Sequence, residues 1–546
     1  MRPITTIVSA VWICHALPAI GQAPPAPPME MSAEQWREDL RFMATELRAR
    51  HANLYHDISK AEFDSEIARL EARIPTLKRN QIIVEMMRIA ARVGDGHTRI
   101  EPRKDPAFAF PSLPMKLYLF DDGLFVRAAD AGRGNLVGAR VEAIGGVPVS
   151  EAIARVSKLA SRENLSGPKL YAPLYLAMPD ILQALGLSND NRSAMLTLVN
   201  GKRRWTVTVL AGAIDPPWPP DTDISLVTPV GWKDANLAPP PMWLQAPLNL
   251  HRLINLPDRK ALYVQLNMVA DVKDETLSQF GERILATATA SNPESIVLDL
   301  RLNTGGNGEL RHGFVNSLIK AEDSDTRLFV LTALGTFSAS QFILDDLDRL
   351  TGAVFIGEPA SSRPTGYGDA FRSTMPNSGI NVRTSVKYWQ SGQDMRDYTS
   401  IDVAAPLTFA DYAAGRDPAL EAALNYRTPT SFNDIAVRAA TEAGAGGVAK
   451  AADALLADPL LRYADRERML MRAVLALIRA DRKADAVTLG KLAAGKFPKN
   501  GDLATVLAMA AESAGNKPLA KASAEAALAI DRNNRQAATV LRNVSP

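Results

Sequence analysis

From Ser32 to about Arg92, apolar residues recur every three or four positions. Trp36, Leu40, Met43 and Leu47 mark a first helix, opened by Ser32-Ala33-Glu34-Gln35 in the form of a capping box. Phe63, Ile67 and Leu70 mark a second helix. A third is predicted over Ile82 to Val93 and stops at Gly94-Asp95-Gly96. From about Pro111 to Leu210 the pattern changes to short strands. They are expected over 116–120, 124–127, 139–144 and 194–199, with turn signals at Asp121-Asp122-Gly123 and Gly145-Gly146. Proline-rich stretches at 216–220 and 239–241 bound a loop-rich linker. Between Asn249 and Arg427, short apolar runs at 261–266, 295–300, 328–332 and 353–356 alternate with helical patterns at 277–290, 310–320 and 340–350. That alternation predicts an α/β core with a largely parallel sheet. From about Phe432 the chain is Ala/Leu-rich and helical. Ala486, Ala493 and Pro498 recur as Ala520, Ala527 and Arg532, each displaced by 34 residues. The spacing and the small-residue positions resemble tetratricopeptide repeats.

Composition narrows the class. A chain of 546 residues predicts three to four domains. With 47% apolar and 22% charged residues it is neither disordered, collagen-like nor a polytopic membrane protein. The formal net charge of +2 provides no global field toward nucleic acid or anionic lipid. Met1-Arg2, the apolar run from Ile4 to Ile20 and the small residues Ala19 and Gly21 read as a secretory signal over 1–21, cleaved after Gly21. The expected location is periplasmic or secreted, with no stable membrane span after cleavage. The single cysteine, Cys14, lies inside that segment, so neither disulfides nor a cysteine-based metal site is expected. The divisions expected for the rest are a helical region over 32–100, a β-rich region over 111–212, an α/β core over 249–427 and helical repeats over 432–546.

Three short motifs carry candidate chemistry. Gly94-Asp-Gly-His-Thr98 places His97 on a loop after a helix, and histidine is the side chain best suited to proton transfer near neutral pH. Val297-Leu-Asp-Leu-Arg-Leu-Asn-Thr-Gly-Gly306 is a buried strand ending in two glycines, a sequence that lets backbone N–H groups turn toward a ligand. Gly335-Thr-Phe-Ser-Ala-Ser-Gln341 joins a strand to a helix. There a serine gains from the helix dipole and adjacent N–H donors, and on chemistry alone Ser338 and Ser340 both qualify. His51 and His56 flank a helix end and read as structural, and His312 falls on the helix after the glycine pair. No spacing of metal ligands appears, and no cofactor is expected.

Taken together and in this order, Asp95-Gly96-His97-Thr98, Asp299-Leu-Arg-x-Asn-x-Gly-Gly306, Ser338-Ala-Ser340 and Val354-x-Ile356-Gly357-Glu358-Pro359 resemble the C-terminal-processing, or tail-specific, serine proteases over residues 32 to 427. The resemblance implies a ClpP/crotonase-like α/β core and a PDZ-like domain at 111–212. It implies Ser338 as nucleophile, with an oxyanion hole from Ala339 and Gly305 or Gly306. Tail-specific members pair that serine with a lysine in a Phe-Gly-Lys-Gly stretch. Here the stretch reads Ala360-Ser-Ser-Arg-Pro-Thr-Gly366, with Arg363 at the lysine position. Arginine stays protonated and is a poor base. The tricorn-core-like branch uses a histidine from the early motif and a later acid. Similarity to that branch implies His97 as base and Asp397 as the orienting acid, with Asp394 and Glu358 as alternatives, and Arg363 as a substrate contact or the partner of an acid. The expected activity is hydrolysis of a protein or peptide substrate, with the repeats recruiting a protein partner and no role for nucleic acid. The alternatives are a catalytically inactive binding scaffold of the same fold and a repeat-mediated envelope adaptor.

Overall fold

A computed structural model describes residues 30–102, 106–108, 110–212, 226–323, 325–390 and 394–545. The segment 1–21 expected as a secretory signal, the proline-rich stretch behind it and the 216–220 stretch lie outside the described residues. Among the described residues, no helix is long and apolar enough to cross a membrane.

The chain opens with α1 (Ala33–Arg50), α2 (Lys60–Arg73) and α3 (Arg79–Ala91). Ser32 and Gln35 form a reciprocal capping box that satisfies the first N–H groups of α1. An antiparallel sheet follows, from β1 (Met115–Phe120), β2 (Gly123–Ala129), β3 (Arg140–Ile144), β4 (Val147–Pro148), β5 (Ser193–Asn200), β6 (Arg203–Leu210) and β7 (Lys233–Asp234). Its main path runs β1-β2-β3-β5-β6. Between β4 and β5 the chain forms α4 (Val149–Val156), α5 (Ser166–Leu176) and α6 (Pro179–Ala184). The three N-terminal helices and this sheet share one hydrophobic core, in which Leu40, Phe63, Ile89, Val126 and Leu196 are all buried.

After a short α7 (Met242–Gln245) comes the α/β core: β8 (His251–Leu256), β9 (Ala261–Leu266), α8 (Leu277–Ser291), β10 (Ser295–Asp299), α9 (Arg311–Ala321), β11 (Arg327–Thr332), α10 (Ala339–Leu350) and β12 (Val354–Gly357). The strand order is β15-β12-β11-β10-β9-β8, where β15 is Val403–Ala404. Every pairing in it is parallel except β8 with β9. Strands β9 and β10 are buried along their whole length, as a sheet covered on both faces requires. One face packs on α8, α9 and α10. The other meets α12 (Pro418–Leu424), which follows α11 (Phe409–Ala413).

Between β12 and β15 the chain makes a long hairpin, β13 (Thr365–Thr374) with β14 (Asn381–Gln390). Its polar, glycine-bearing sequence carries no buried period, so the apolar pattern misses it. The hairpin ties the two halves together. Met375, Ile380 and Val382 enter the N-terminal core, Ala52 N–H donates to Ser385 O, and Arg99 and Arg383 exchange backbone hydrogen bonds. The chain ends in α13 (Phe432–Ala457), α14 (Arg466–Arg479), α15 (Lys483–Lys496), α16 (Gly501–Ser513), α17 (Lys517–Ile530) and α18 (Arg535–Val544), each packed on the next. Ala486, Ala493, Ala520 and Ala527 are buried where these helices approach one another.

Candidate active site

Three separate segments meet outside the carboxyl ends of the parallel strands, where open α/β sheets bind ligands. The first is the loop after α3. Asp95 is buried, and its carboxylate accepts hydrogen bonds from the N–H groups of His97 and Thr98, from Ser385 Oγ and from His51 Nε2. His51 Nδ1 accepts from Asn53 N–H, which leaves the His51 proton on Nε2, facing Asp95. Burial alone would raise the Asp95 carboxyl, but hydrogen bonds from His51 and Ser385 hold it well below the usual carboxylate range. The loop that presents His97 is therefore pinned by an ionised buried carboxylate, and His51 is a partner of that carboxylate rather than of the cleft.

The second segment is the turn from β11 into α10. Ser338 is the N-cap of α10 and has φ 57°, ψ −124°, a left-handed conformation that costs energy for any residue but glycine. This sharp strand-to-helix turn projects Oγ outward, and His97 Nε2 lies 2.9 Å from it. The Phe337 ring stacks on the imidazole at 4.5 Å. Ser340, the other serine of the motif, is fully buried, and its Oγ has no hydrogen-bond partner among the described residues.

The glycine pair closes on the same turn. Gly305 has φ +115°, and a Cβ there would lie 2.7 Å from Ser338 Cβ. Gly306 has φ +133°, and a Cβ there would meet Val269 O at 2.3 Å. The N–H groups divide into occupied and available. Gly305 N–H donates to Asn303 Oδ1, and Ser338 N–H donates to Ser362 Oγ. Gly305 is thus removed from the two glycines expected as oxyanion donors. Gly306, which lines the cleft, and Ala339, in the first turn of α10 where helix N–H groups lack intrahelical acceptors, are left to serve.

The third segment, between α4 and α5, did not figure in the sequence reading. Glu163 is buried, and its Oε1 lies 3.5 Å from His97 Nδ1. Its Oε2 accepts from Arg363 N–H. Neighbouring side chains hold the segment in place: Ser161 Oγ donates to Thr98 O, and Asn164 Nδ2 donates to Ala360 O and Asp397 O. His97 Nδ1 has no closer partner among the described residues. Glu163 is therefore the carboxylate toward which the far nitrogen turns, across a gap somewhat wider than a hydrogen bond.

The acids expected from sequence stand elsewhere. The Asp397 carboxylate is exposed and pairs with Arg363 at 2.6 Å, so it does not orient His97. Arg363 lines the cleft, but its guanidinium is engaged by that pair. Asp394 pairs with Arg396. Glu358 follows β12 and faces neither His97 nor Ser338; burial pushes its carboxyl up to about 7. Asp299 and Arg301 of the second motif are structural. Arg301 bridges Asp299 and Asp417 in a buried network, and Tyr263 donates to Asp299. Glu163 sits in Ser161-Arg-Glu-Asn-Leu-Ser166, a polar stretch that from sequence reads as the approach to a helix. Its only usable signal was an acid in a segment too polar for the strand-rich region around it.

No family model matches the chain, and no curated protein matches it. Its fold is similar to that of a solved structure. A crystal structure of a CPAF mutant aligns at TM-score 0.51 and 12% identity, covering 73% of this chain and 99% of that one. Mature CPAF complexed with lactacystin aligns at TM-score 0.49 and 12% identity, over 70% of this chain and 95% of that one. The photosystem II C-terminal processing protease aligns at TM-score 0.32 and 16% identity, over 72% and 99%. At 12% identity, the likeness to the CPAF mutant is one of fold alone.

Proposed function

We propose that the chain is a serine endopeptidase, built on a ClpP/crotonase-like core, in which Ser338, His97 and Glu163 act together. The observation that carries this reading is the 2.9 Å approach of His97 Nε2 to Ser338 Oγ, between residues 241 positions apart in sequence. In this mechanism Ser338 Oγ attacks the scissile carbonyl carbon as its proton passes to His97 Nε2. The oxyanion receives the N–H groups of Ala339 and Gly306. The imidazolium, facing the Glu163 carboxylate, then gives its proton to the leaving amine. The acyl-serine is hydrolysed by a water that His97 deprotonates in the same manner. The use of a histidine rather than a lysine supports the tricorn-core-like branch, and the Arg363–Asp397 pair accounts for the arginine at the lysine position without a catalytic role. A periplasmic or secreted location and recruitment of a protein partner by tetratricopeptide-like helices complete the proposal.

The test is labelling of the purified chain with a fluorophosphonate, read by intact mass, for wild type, Ser338→Ala and His97→Ala. Labelling of wild type that is lost in both variants is the expected result. Labelling lost only in Ser338→Ala moves the base elsewhere. A folded wild type that is not labelled overturns the peptidase reading and favours the binding scaffold.

A further inference from the structure

The cleft that holds Ser338 has two lobes. One, of about 190 Å³, is lined in part by His97, Glu163, Gly306, Ser338, Ala339 and Ser362. All of these but Ser362 have a part in the proposed chemistry. Ser362 is only 3% exposed, yet it stands in this wall. A hydroxyl carries one hydrogen to donate and two positions that accept. The Ser362 oxygen accepts from Ser338 N–H at 2.8 Å, so its own hydrogen points away from that N–H. Among the described residues no acceptor takes this hydrogen. The other hydrogen bond of Ser362 is made by its carbonyl, which accepts from Asn164 Nδ2 at 3.3 Å.

The stretch around Ser362 is fixed from several sides. Ser361 N–H donates to Thr336 O, Asn164 Nδ2 donates to Ala360 O, and Arg363 N–H donates to Glu163 Oε2. The hydroxyl is thus held against the backbone of the nucleophile, beside the N–H that precedes Ala339 N–H along the chain. The same frame ties it to the segment that carries Glu163. A buried donor without an acceptor is costly at rest and gains its partner when a substrate oxygen arrives. Accepting from Ser338 N–H also polarises the O–H and makes it a stronger donor. Donors fixed in place before the reaction stabilise developing charge without reorganising.

We propose that Ser362 is a further catalytic residue, whose hydroxyl donates to the oxyanion beside the N–H groups of Ala339 and Gly306. As the bond from Ser338 Oγ to the carbonyl carbon forms, the Oγ proton passes to His97 Nε2. The carbonyl π pair moves onto oxygen, where the Ser362 O–H meets it. When that pair returns, the carbon–nitrogen bond breaks and the leaving amine takes the proton from His97. Ser362 keeps its own proton throughout. The inference rests on Ser338 being the nucleophile.

The experiment separates donation to an oxyanion from support of the turn. Fluorophosphonate labelling rates are measured for wild type, Ser362→Ala and Ser362→Thr, with thermal melting to verify folding. Removing one oxyanion donor costs about 10²–10³ in rate, so Ser362→Ala should slow labelling by that factor. Ser362→Thr keeps the hydroxyl and should stay within about tenfold of wild type. The alanine also releases Ser338 N–H, so two further reactions are run on Ser338→Cys. Acylation by p-nitrophenyl acetate places charge on the carbonyl oxygen. Alkylation by iodoacetamide displaces iodide from a saturated carbon and places none. Both are read by mass on the peptide containing residue 338, apart from Cys14. Adding Ser362→Ala should slow acylation by a comparable factor and leave alkylation within about threefold. Equal slowing of both reactions assigns Ser362 to support of the turn and overturns the donor. Labelling of Ser362→Ala within about threefold of wild type overturns it too, and either result leaves the peptidase reading intact. If Ser362→Ala does not fold, Ser362→Gly removes the same hydroxyl and is read in its place. A folded wild type that is not labelled overturns the inference together with the peptidase reading.

Discussion

Replacing Glu163 by glutamine removes the charge facing the far nitrogen of His97 while keeping the side chain's length and an acceptor for Arg363 N–H. In the proposed mechanism, attack by Ser338 makes His97 an imidazolium whose Nδ1 lies 3.5 Å from Oε1. The Glu163 and His97 side chains are 5% and 11% exposed, so water screens their attraction little. At an effective dielectric of about 20, that attraction is worth roughly 5 kcal/mol, an upper value because the amide dipole of glutamine recovers part of it. Each 1.36 kcal/mol on the barrier is about tenfold in rate, so Glu163→Gln should slow acylation by roughly 10²–10⁴. The assay is the second-order rate of fluorophosphonate labelling, followed by mass, with thermal melting to verify folding. Asp397→Asn breaks only an exposed pair with Arg363 and should stay within about threefold of wild type. A folded Glu163→Gln protein labelled within threefold of wild type would refute the reasoning, as would an Asp397→Asn protein that loses as much as Glu163→Gln.

Gly305→Ala sets a methyl group 2.7 Å from Ser338 Cβ at φ +115°; strain of roughly 1–3 kcal/mol should lower the melting temperature and displace Ser338, cutting labelling by about 10² or more. Asp95→Asn leaves the partners of a buried carboxylate underserved and should cost about 1–3 kcal/mol at pH 7 in chemical denaturation. Because the folded Asp95 carboxyl is held low, its stabilisation is present above the unfolded value near 3.9 and is lost as pH falls through the folded value. The gap between wild type and variant should therefore narrow in acid, and a gap unchanged down to pH 2 would contradict the assignment. Asp345 has the opposite sign. Burial pushes its carboxyl up to about 8, and its Oδ2 has no hydrogen-bond partner among the described residues. Ionisation in the unfolded chain therefore destabilises the fold progressively from about pH 4 to 8. Asp345→Asn should raise the melting temperature at pH 8 and lose that gain near pH 4.

Much of the local architecture follows from one-dimensional pattern. The capping box at Ser32, the strand at Ala261–Leu266 and the helix at Leu277–Ser291 appear where apolar period and caps predict them, because short-range hydrogen bonding and one-sided burial decide such elements. Ser338 and His97 were legible as chemistry because each sits in a short motif of small and polar residues on a turn. The hairpin at Thr365–Gln390 was not legible, since its strands carry no continuous buried face.

What only the tertiary structure decided is which groups meet. The 2.9 Å contact between His97 and Ser338 depends on the β13–β14 hairpin fastening the N-terminal core to the α/β core, a long-range event that leaves no periodic trace. Asp397 was the acid that resemblance to the tricorn-core-like branch implied, beside Asp394 and Glu358, yet Arg363 engages it at the surface. Glu163 reaches His97 because its segment is tethered to Thr98, Ala360 and Arg363 from three directions. Likewise, Gly305 and Gly306 are neighbours in sequence, but the hydrogen bond to Asn303 takes the N–H of the first and leaves that of the second for a ligand. Residue type and spacing determine which side chains are capable of the chemistry. The partner of each is decided by packing, because a carboxylate, an amide or a guanidinium is committed by whichever complementary group the fold brings within 3 Å.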